Sequence, residues 1–551
     1  MAPLNPNSMD TTVDWSFDGG SCKFTLPGDD TSSSADGTPR TIREVFERKG
    51  ICFQKTSQEL MSHYAVAPGE SLMETGGPLN RYAFLFQYPT GFLHFNMINK
   101  DCINMPFAMM GQDPLIHHLW VAMYSASKAN NCAYCSTHGV AMASTKKTKL
   151  LLRMIEEENR SLSDSALISF SDSLGRFPSD LSTDEIVTLK KYYTSDEIEW
   201  IVLSIAMSGC NNFVSQACGV KLEEKVLDAA KPYLPKIPEY PTDAMPEGFD
   251  MEATKPKDIN EEDPVDENMF PLWKLFRRHP MAMIQSAIVE LKWKRGVPSS
   301  WPKIGQYLKE HTGYHFPLLQ RLANFRNMTQ CFGGVLRDSF DPNLTEIGLT
   351  TKVLVQLIWS GHIYDEHLQE DACTLLPIMA KRENIEKFDT DEMIEEMLAI
   401  AEDPCPNTKD ECEDVLDKVS HLCAKLGKKG ASKREQGFQS RKQAAILILA
   451  RAAATKPTRI DPVVIGEVVH LLTPSEIIET IVWMGVLVGF HRILRFNEIK
   501  ENTPMYIWED KEELLPRTSG HNSDAQPKPH EKSESCAKKT FFSWMPWCRS
   551  E

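Results

Sequence analysis

The segment Thr194-Ser-Asp-Glu197-Ile198-Glu-Trp-Ile-Val-Leu-Ser-Ile-Ala-Met-Ser-Gly-Cys210 reads as a hydrophobic helix carrying its own start signal. A threonine at the N-cap accepts a hydrogen bond from the backbone three residues on, and the glutamate there returns one: the reciprocal capping box. The same device opens a second apolar run, Thr473-Pro-Ser-Glu476-Ile477 through Phe490. Upstream of each, Pro78-Leu79 with Phe86 and Thr90 parallels Pro317-Leu318 with Phe325 and Thr329 at one constant offset. Like signals in like order point to an internal repeat. From Thr41 onward Gly and Pro punctuate segments of helical period, and strand-type alternation is scarce. An all-α body is expected.

The 551 residues include 60 basic and 76 acidic side chains, a formal net charge of −16. With 42% hydrophobic and 25% charged residues, the chain has the composition of a folded soluble protein rather than a disordered one. The acidic balance argues against general nucleic-acid binding, which rests on clustered Lys and Arg. Residues 1–38, rich in Ser, Thr, Asp, Gly and Pro, read as a disordered leader without the basic flank and apolar run of a secretory signal. The apolar stretches Ala444–Ala454 and Ile477–Phe490 fall short of the roughly 20 residues that span a bilayer. The 14 cysteines are too sparse for a disulfide-stapled scaffold, so a reducing, cytoplasmic setting is the default. Repeated prolines among acids from Lys231 read as an extended linker over 231–267. It divides the body into halves at 39–230 and 268–500, followed by a tail over 501–551.

Chemistry concentrates in Asn130-Asn-Cys132-Ala-Tyr-Cys135-Ser-Thr-His138-Gly139. Two cysteines spaced C-x-x-C at a helix start bring their sulfurs within disulfide reach. The helix N-terminus favours a thiolate there. His138, about one turn beyond Cys135, projects from the same face. A thiol, a partner that traps its sulfenic acid and an imidazole are the minimum for thiol redox chemistry. No Asp or Glu occurs from Pro114 to Ile155, whereas His117, His118, Lys128, Lys146, Lys147, Lys149 and Arg153 do. Lys128, four residues before Cys132, is the adjacent cation expected to lower a thiol pKa. Two other readings compete: a structural metal site, which lacks a fourth ligand, and a pair of inert buried cysteines.

The C-x-Y-C-x-x-H string, followed by Ala166-Leu-Ile-Ser-Phe170, Leu174, Pro178, Leu181-Ser-Thr-Asp-Glu185, Tyr193 and the capped helix Glu197–Cys210, resembles an alkylhydroperoxidase D-like (carboxymuconolactone decarboxylase-like) domain. The resemblance covers about Thr41 to Ala230. It implies an all-helical fold with Cys135 as peroxidatic nucleophile, Cys132 as its resolving partner and His138 in the proton relay. The family's redox members carry a relay glutamate twelve residues before the first cysteine. Trp120 stands there instead, so peroxide reduction is expected to be slow; His117 is a candidate substitute base, against the plainer reading of a surface or capping histidine. The family's histidine also falls more often one residue later, where Gly139 stands. The implied function is a thiol-dependent antioxidant oxidoreductase, a peroxidase or disulfide reductase drawing electrons from an external thiol. No phosphate-binding Gly-rich loop or dinucleotide fingerprint occurs, so no cofactor is expected. The rival is a non-enzymatic stress scaffold or sensor, by fold-level analogy with the two-lobed sestrins. Decarboxylation or ring-lactone chemistry is a weaker third reading.

The second half resembles the same family more faintly and is expected to be a degenerate copy. His362-Ile-Tyr-Asp365 is set against Cys132-Ala-Tyr-Cys135, with a polar insert over about 381–442 that holds Cys405, Cys412, Cys423 and the basic residues Lys428, Lys429, Lys433 and Arg434. His362, Asp365, Glu366 and His367 invite a metal reading, although two histidines five apart miss helical ligand spacing. Family members usually pack as oligomers, so homo-oligomer formation is an expectation, with the duplication making part of that packing intramolecular. At the C-terminus Phe541, Phe542, Trp544 and Trp547 beside Lys538 and Lys539 suit a weak membrane or partner contact through 538–551.

Overall fold

The structure, a computed structural model, describes residues 39–51, 80–102, 115–145, 160–220, 222, 226, 230, 288–322, 325–385, 389–426, 433–455, 458, 460–510 and 514–515. The expected leader 1–38, the linker 231–267, Pro78-Leu79, Lys428-Lys429 and the aromatic segment 538–551 lie outside them. Every regular element among the described residues is helical.

The first half runs α1 (Ile42–Arg48), α2 (Asn80–Leu85), α3 (Pro89–Cys102), α4 (Ile116–Ala129), α5 (Ala133–Thr145), α6 (Leu162–Gly175), α7 (Thr183–Leu189) and α8 (Ser195–Ala217). The second half begins with α9 (Lys303–Thr312), a 3-10 turn (Pro317–Leu322), α10 (Arg326–Ser339), α11 (Leu349–Ile363) and α12 (Glu366–Arg382). It continues through α13 (Thr390–Glu402), α14 (Lys409–Ala424), α15 (Lys433–Ala453), α16 (Pro462–Glu467) and α17 (Pro474–Glu501).

Both capping boxes form. Glu197 N–H donates to Thr194 Oγ1 at 3.2 Å, and Thr194 N–H donates to Glu197 Oε2 at 2.9 Å. At the start of α17 the corresponding distances are 3.2 Å and 2.8 Å for Glu476 and Thr473. Beyond their caps, α8 and α17 are largely apolar and buried on nearly every face, which places them at the centre of the molecule. They form its most extensive helix pair.

Superposing the two caps in sequence sets Ala206 against Gly485, Gly209 against Val488 and Cys210 against Gly489. A Cβ added to Gly485 would sit 3.5 Å from the Cys210 carbonyl oxygen, and one on Gly489 would sit 3.6 Å from that of Ala206. One on Gly209 would come within 2.9 Å of Val488 Cγ1. Each contact thus occurs together with its mate, as a local two-fold axis through the α8–α17 crossing requires. The other repeated pair, α3 and α10, also packs together.

One cluster of buried apolar side chains extends from Ile42 to Phe496, so the halves share a core. A buried carboxylate ties them as well. Glu479 of α17 pairs with Lys352 Nζ at 2.6 Å and accepts N–H bonds from Glu346 at 2.6 Å and Ile347 at 3.0 Å. The Tyr88 hydroxyl reaches it from the first half at 3.3 Å. The polar insert is itself structured: α13 packs on α11, and α14 packs on α15. Cys412 and Cys423 are buried within it. The apolar character of α17 runs past the Ile477–Phe490 stretch read from the sequence, so that by length and composition the 28-residue helix could cross a bilayer, but its apolar window is wholly buried, the setting of a core helix.

Candidate functional site

The C-x-x-C motif lies where α4 hands over to α5. Asn131 adopts left-handed backbone at φ 54°, a conformation Asn tolerates better than most residues. Its N–H bonds the Lys128 carbonyl at 2.9 Å, and Cys132 N–H bonds that of Ser127 at 2.9 Å. These two bonds form a Schellman motif that ends α4. Cys132 then serves as the N-cap of α5: its Sγ accepts the Cys135 N–H at 3.4 Å. Serine, threonine, aspartate or asparagine usually fills this position. Cys132 is 1% exposed, whereas Cys135, one turn into solvent reach, is half-buried. Both are free thiols.

The surroundings separate the two sulfurs. Burial works against ionisation of either thiol. At Cys135 it is outweighed by the Cys132 thiol as hydrogen-bond partner, the charges of Arg81 and His138, and the Ser215 hydroxyl at 3.9 Å, and the pKa falls below the ordinary thiol value. At Cys132 burial prevails, reinforced by Cys135, and the pKa stands well above it. The arrangement favours the thiolate of Cys135 over that of Cys132. Among the described cysteines Cys135 alone is shifted downward. Burial pushes Cys210 and Cys423 up to about 12, and Cys102, Cys218 and Cys331 rise too.

His138 is buried on α5, its ring 4.4 Å from that of Tyr134. His117 falls on α4, but its side chain lies outside the described residues. Trp120 is partly buried against the core. Sequence adjacency misassigned the cation. Lys128 acts on Asp172 of α6, and the guanidinium acting on Cys135 is that of Arg81, buried on α2 with its carbon 5.2 Å from the Phe95 ring centre. Arg81 and Ser215 were both missed, because each lies far along the chain from the cysteines and neither carries a local motif.

The second half presents the same turn without its sulfurs. Tyr364 is left-handed at φ 57°, its N–H bonds Gly361 O at 3.3 Å, and Asp365 N–H bonds Ser360 O at 3.0 Å. Asp365 then caps α12 by accepting Leu368 N–H at 3.0 Å. The register therefore sets Asp365 against Cys132 and Leu368 against Cys135, a three-residue correction to the pairing of His362 with Cys132. The four residues considered for metal diverge. His362 Nδ1 meets the Ala401 carbonyl at 3.2 Å, and Asp365 Oδ2 pairs with His491 Nδ1 at 2.7 Å. Among the described residues no three His, Cys, Asp or Glu side chains converge as metal ligands.

Beside the cysteine turn lies a cavity of about 360 Å³. Asn130 and Asn131 form one wall, Phe177 and Phe213 the aromatic lining, and Thr458 and Val488 the contribution of the second half. The Gln216 amide closes the corner by donating to Asn130 O at 2.9 Å. Comparison with family models, curated proteins and solved structures finds no match for this chain.

Proposed function

We propose that the chain is a thiol-dependent oxidoreductase of alkylhydroperoxidase D-like descent, acting on peroxide or disulfide, with a second half that has lost the cysteines. What supports this reading is the geometry of the cysteine turn: Cys132 Sγ accepts the Cys135 N–H at 3.4 Å, and Cys135 is half-buried beside Ser215, its pKa lowered by its surroundings while the other described thiols rise. On a hydroperoxide ROOH, the Cys135 thiolate attacks the terminal oxygen and the O–O bond breaks. Cys135 becomes a sulfenic acid, and the alkoxide leaves as ROH after taking a proton by way of His138. The Cys132 thiol then displaces hydroxide from the sulfenic sulfur; an S–S bond forms and water departs. Two electrons from an external thiol donor restore both thiols. A reducing compartment such as the cytoplasm suits the cycle.

Peroxide consumption with an excess of a dithiol donor tests the reading. Cys135→Ser is expected to abolish turnover, and Cys132→Ser to stall the enzyme at the sulfenic acid. Equal rates for wild type and Cys135→Ser would remove the catalytic claim. The non-enzymatic scaffold reading draws on a different observation: Cys132 is 1% exposed and caps a helix, a structural task in its own right. Under that reading mild peroxide leaves the intact mass of the protein unchanged.

A further inference from the structure

Arg492 of α17 is fully buried where the two halves cross. Its guanidinium is held by backbone alone: Nη1 donates to the Ile205 carbonyl at 2.5 Å, and Nη2 donates to that of Gly175. Its Nε is buried without a hydrogen-bond partner, and the charges that favour its protonated form are those of the Cys210 and Cys135 thiols. Burial lowers its pKa to about 10, which leaves it charged at neutral pH. A buried cation paired with no carboxylate is costly, so its charge is felt by whatever lies adjacent.

What lies adjacent is the floor of the 360 Å³ cavity. Gly209 lines that floor, and a Cβ placed on it would come within 2.6 Å of Arg492 Nη1. Val488, one turn before Arg492, lines it too. At the mouth, exposed Arg176 is neutralised by Asp180 at 2.7 Å, so the rim contributes little net charge. The walls supply amides from Asn130 and Asn131 together with the apolar faces of Phe177 and Phe213. The volume falls in the range of small-molecule sites, and few polar groups on an apolar lining are typical of them.

We propose that this cavity binds a small amphipathic carboxylate, its apolar part against Phe177, Phe213 and Val488 and its anionic end over Gly209, in the field of Arg492. Recognition is by charge and not by direct contact with the guanidinium, which Gly209 screens from the cavity. The site is built jointly by the two halves, and it does not depend on the thiols turning over.

Octanoate, octan-1-ol and octylammonium serve as probes in calorimetric titrations of the full chain. Octanoate is expected to bind about tenfold or more tighter than the alcohol, the factor that about 1.4 kcal/mol of charge interaction supplies, and octylammonium more weakly than either. Arg492→Met is expected to bring octanoate and the alcohol to similar affinity, whereas the double change Arg176→Gln with Asp180→Asn retains the preference. Cys135→Ser, which removes a thiol charge that acts on Arg492, retains the preference for the acid. Should Arg492→Met not fold, hydrogen exchange on wild type decides: octanoate is expected to protect 129–131 and 176–180. Equal binding of acid and alcohol by wild type, preference for the ammonium, no binding at all, or protection elsewhere would overturn the proposal.

Discussion

Cys132 occupies a position where a helix needs an acceptor, and a sulfur meets that need less well than a hydroxyl or carboxylate does. The second half fills the equivalent place with Asp365, an ordinary cap. Keeping sulfur where oxygen caps better is understandable if the sulfur has further work to do on Cys135. The sequence revealed this pair because C-x-x-C is a local pattern. It did not reveal Arg81 or Ser215, which reach Cys135 only through the packing of α2 and α8 around α5. Another residue makes a separate prediction. Burial raises Asp371 to about 6, although the Tyr314 hydroxyl and the His367 charge oppose the shift. Its folded pKa lies above the unfolded value of about 3.9. The stability it contributes is therefore full below that value and is lost as pH rises through about 6. Asp371→Asn is expected to gain on wild type by on the order of 2 kcal/mol between pH 4 and pH 8, read from urea melts at the two pH values. A pH-independent difference would refute the assignment.

At the scale of elements, the helices most legible in sequence were those that announce themselves locally. Thr194 with Glu197, and Thr473 with Glu476, fixed two helix starts because a capping box is complete within four residues. Thr194→Ala and Thr473→Ala should each cost about 1 kcal/mol, with nearly additive effects in the double variant, as measured by thermal or denaturant melts. Register across halves was harder to read. The shared tyrosine suggested matching Tyr134 with Tyr364, but the backbone matches Tyr364 with Asn131, the left-handed residue between two helices. Letters misled there because the constraint is a φ angle and an N-cap, which Asn-Cys and Tyr-Asp satisfy equally. Close packing gives a further test. A Cβ on Gly175 would fall 2.6 Å from the Ala126 Cα, backbone that cannot swing aside. Gly175→Ala is expected to destabilise by about 1–3 kcal/mol, and a neutral result would show that α4 and α6 are less tightly apposed.

At the scale of the molecule, the sequence suggested two similar halves and, through the resemblance, a second half packed against the first, but no residue pattern said which faces share one core. That followed only from the burial of α8 and α17 against each other, since a largely apolar helix does not say what covers it. Residues 39–230 alone would expose the α8 face that meets α17, so this fragment is expected to lack a cooperative melt. Glu479 binds the halves more specifically. Burial would raise its pKa, but Lys352 and the donors around it hold it below the ordinary carboxylate value. Its contribution is thus present above the unfolded value of about 4.3 and disappears as pH falls through the folded one. Glu479→Gln, which strands the Lys352 charge, is expected to cost about 3–5 kcal/mol at pH 7 and much less in acid. The whole functional argument rests on the ionisation of one thiol, which can be measured directly. The alkylation rate of each cysteine against pH, followed by peptide mass spectrometry on the native protein, should show Cys135 reacting with an inflection clearly below the free-cysteine value of about 8.5 while Cys132 stays nearly inert. An inflection at or above that value, or equal reactivity of the two, would contradict it.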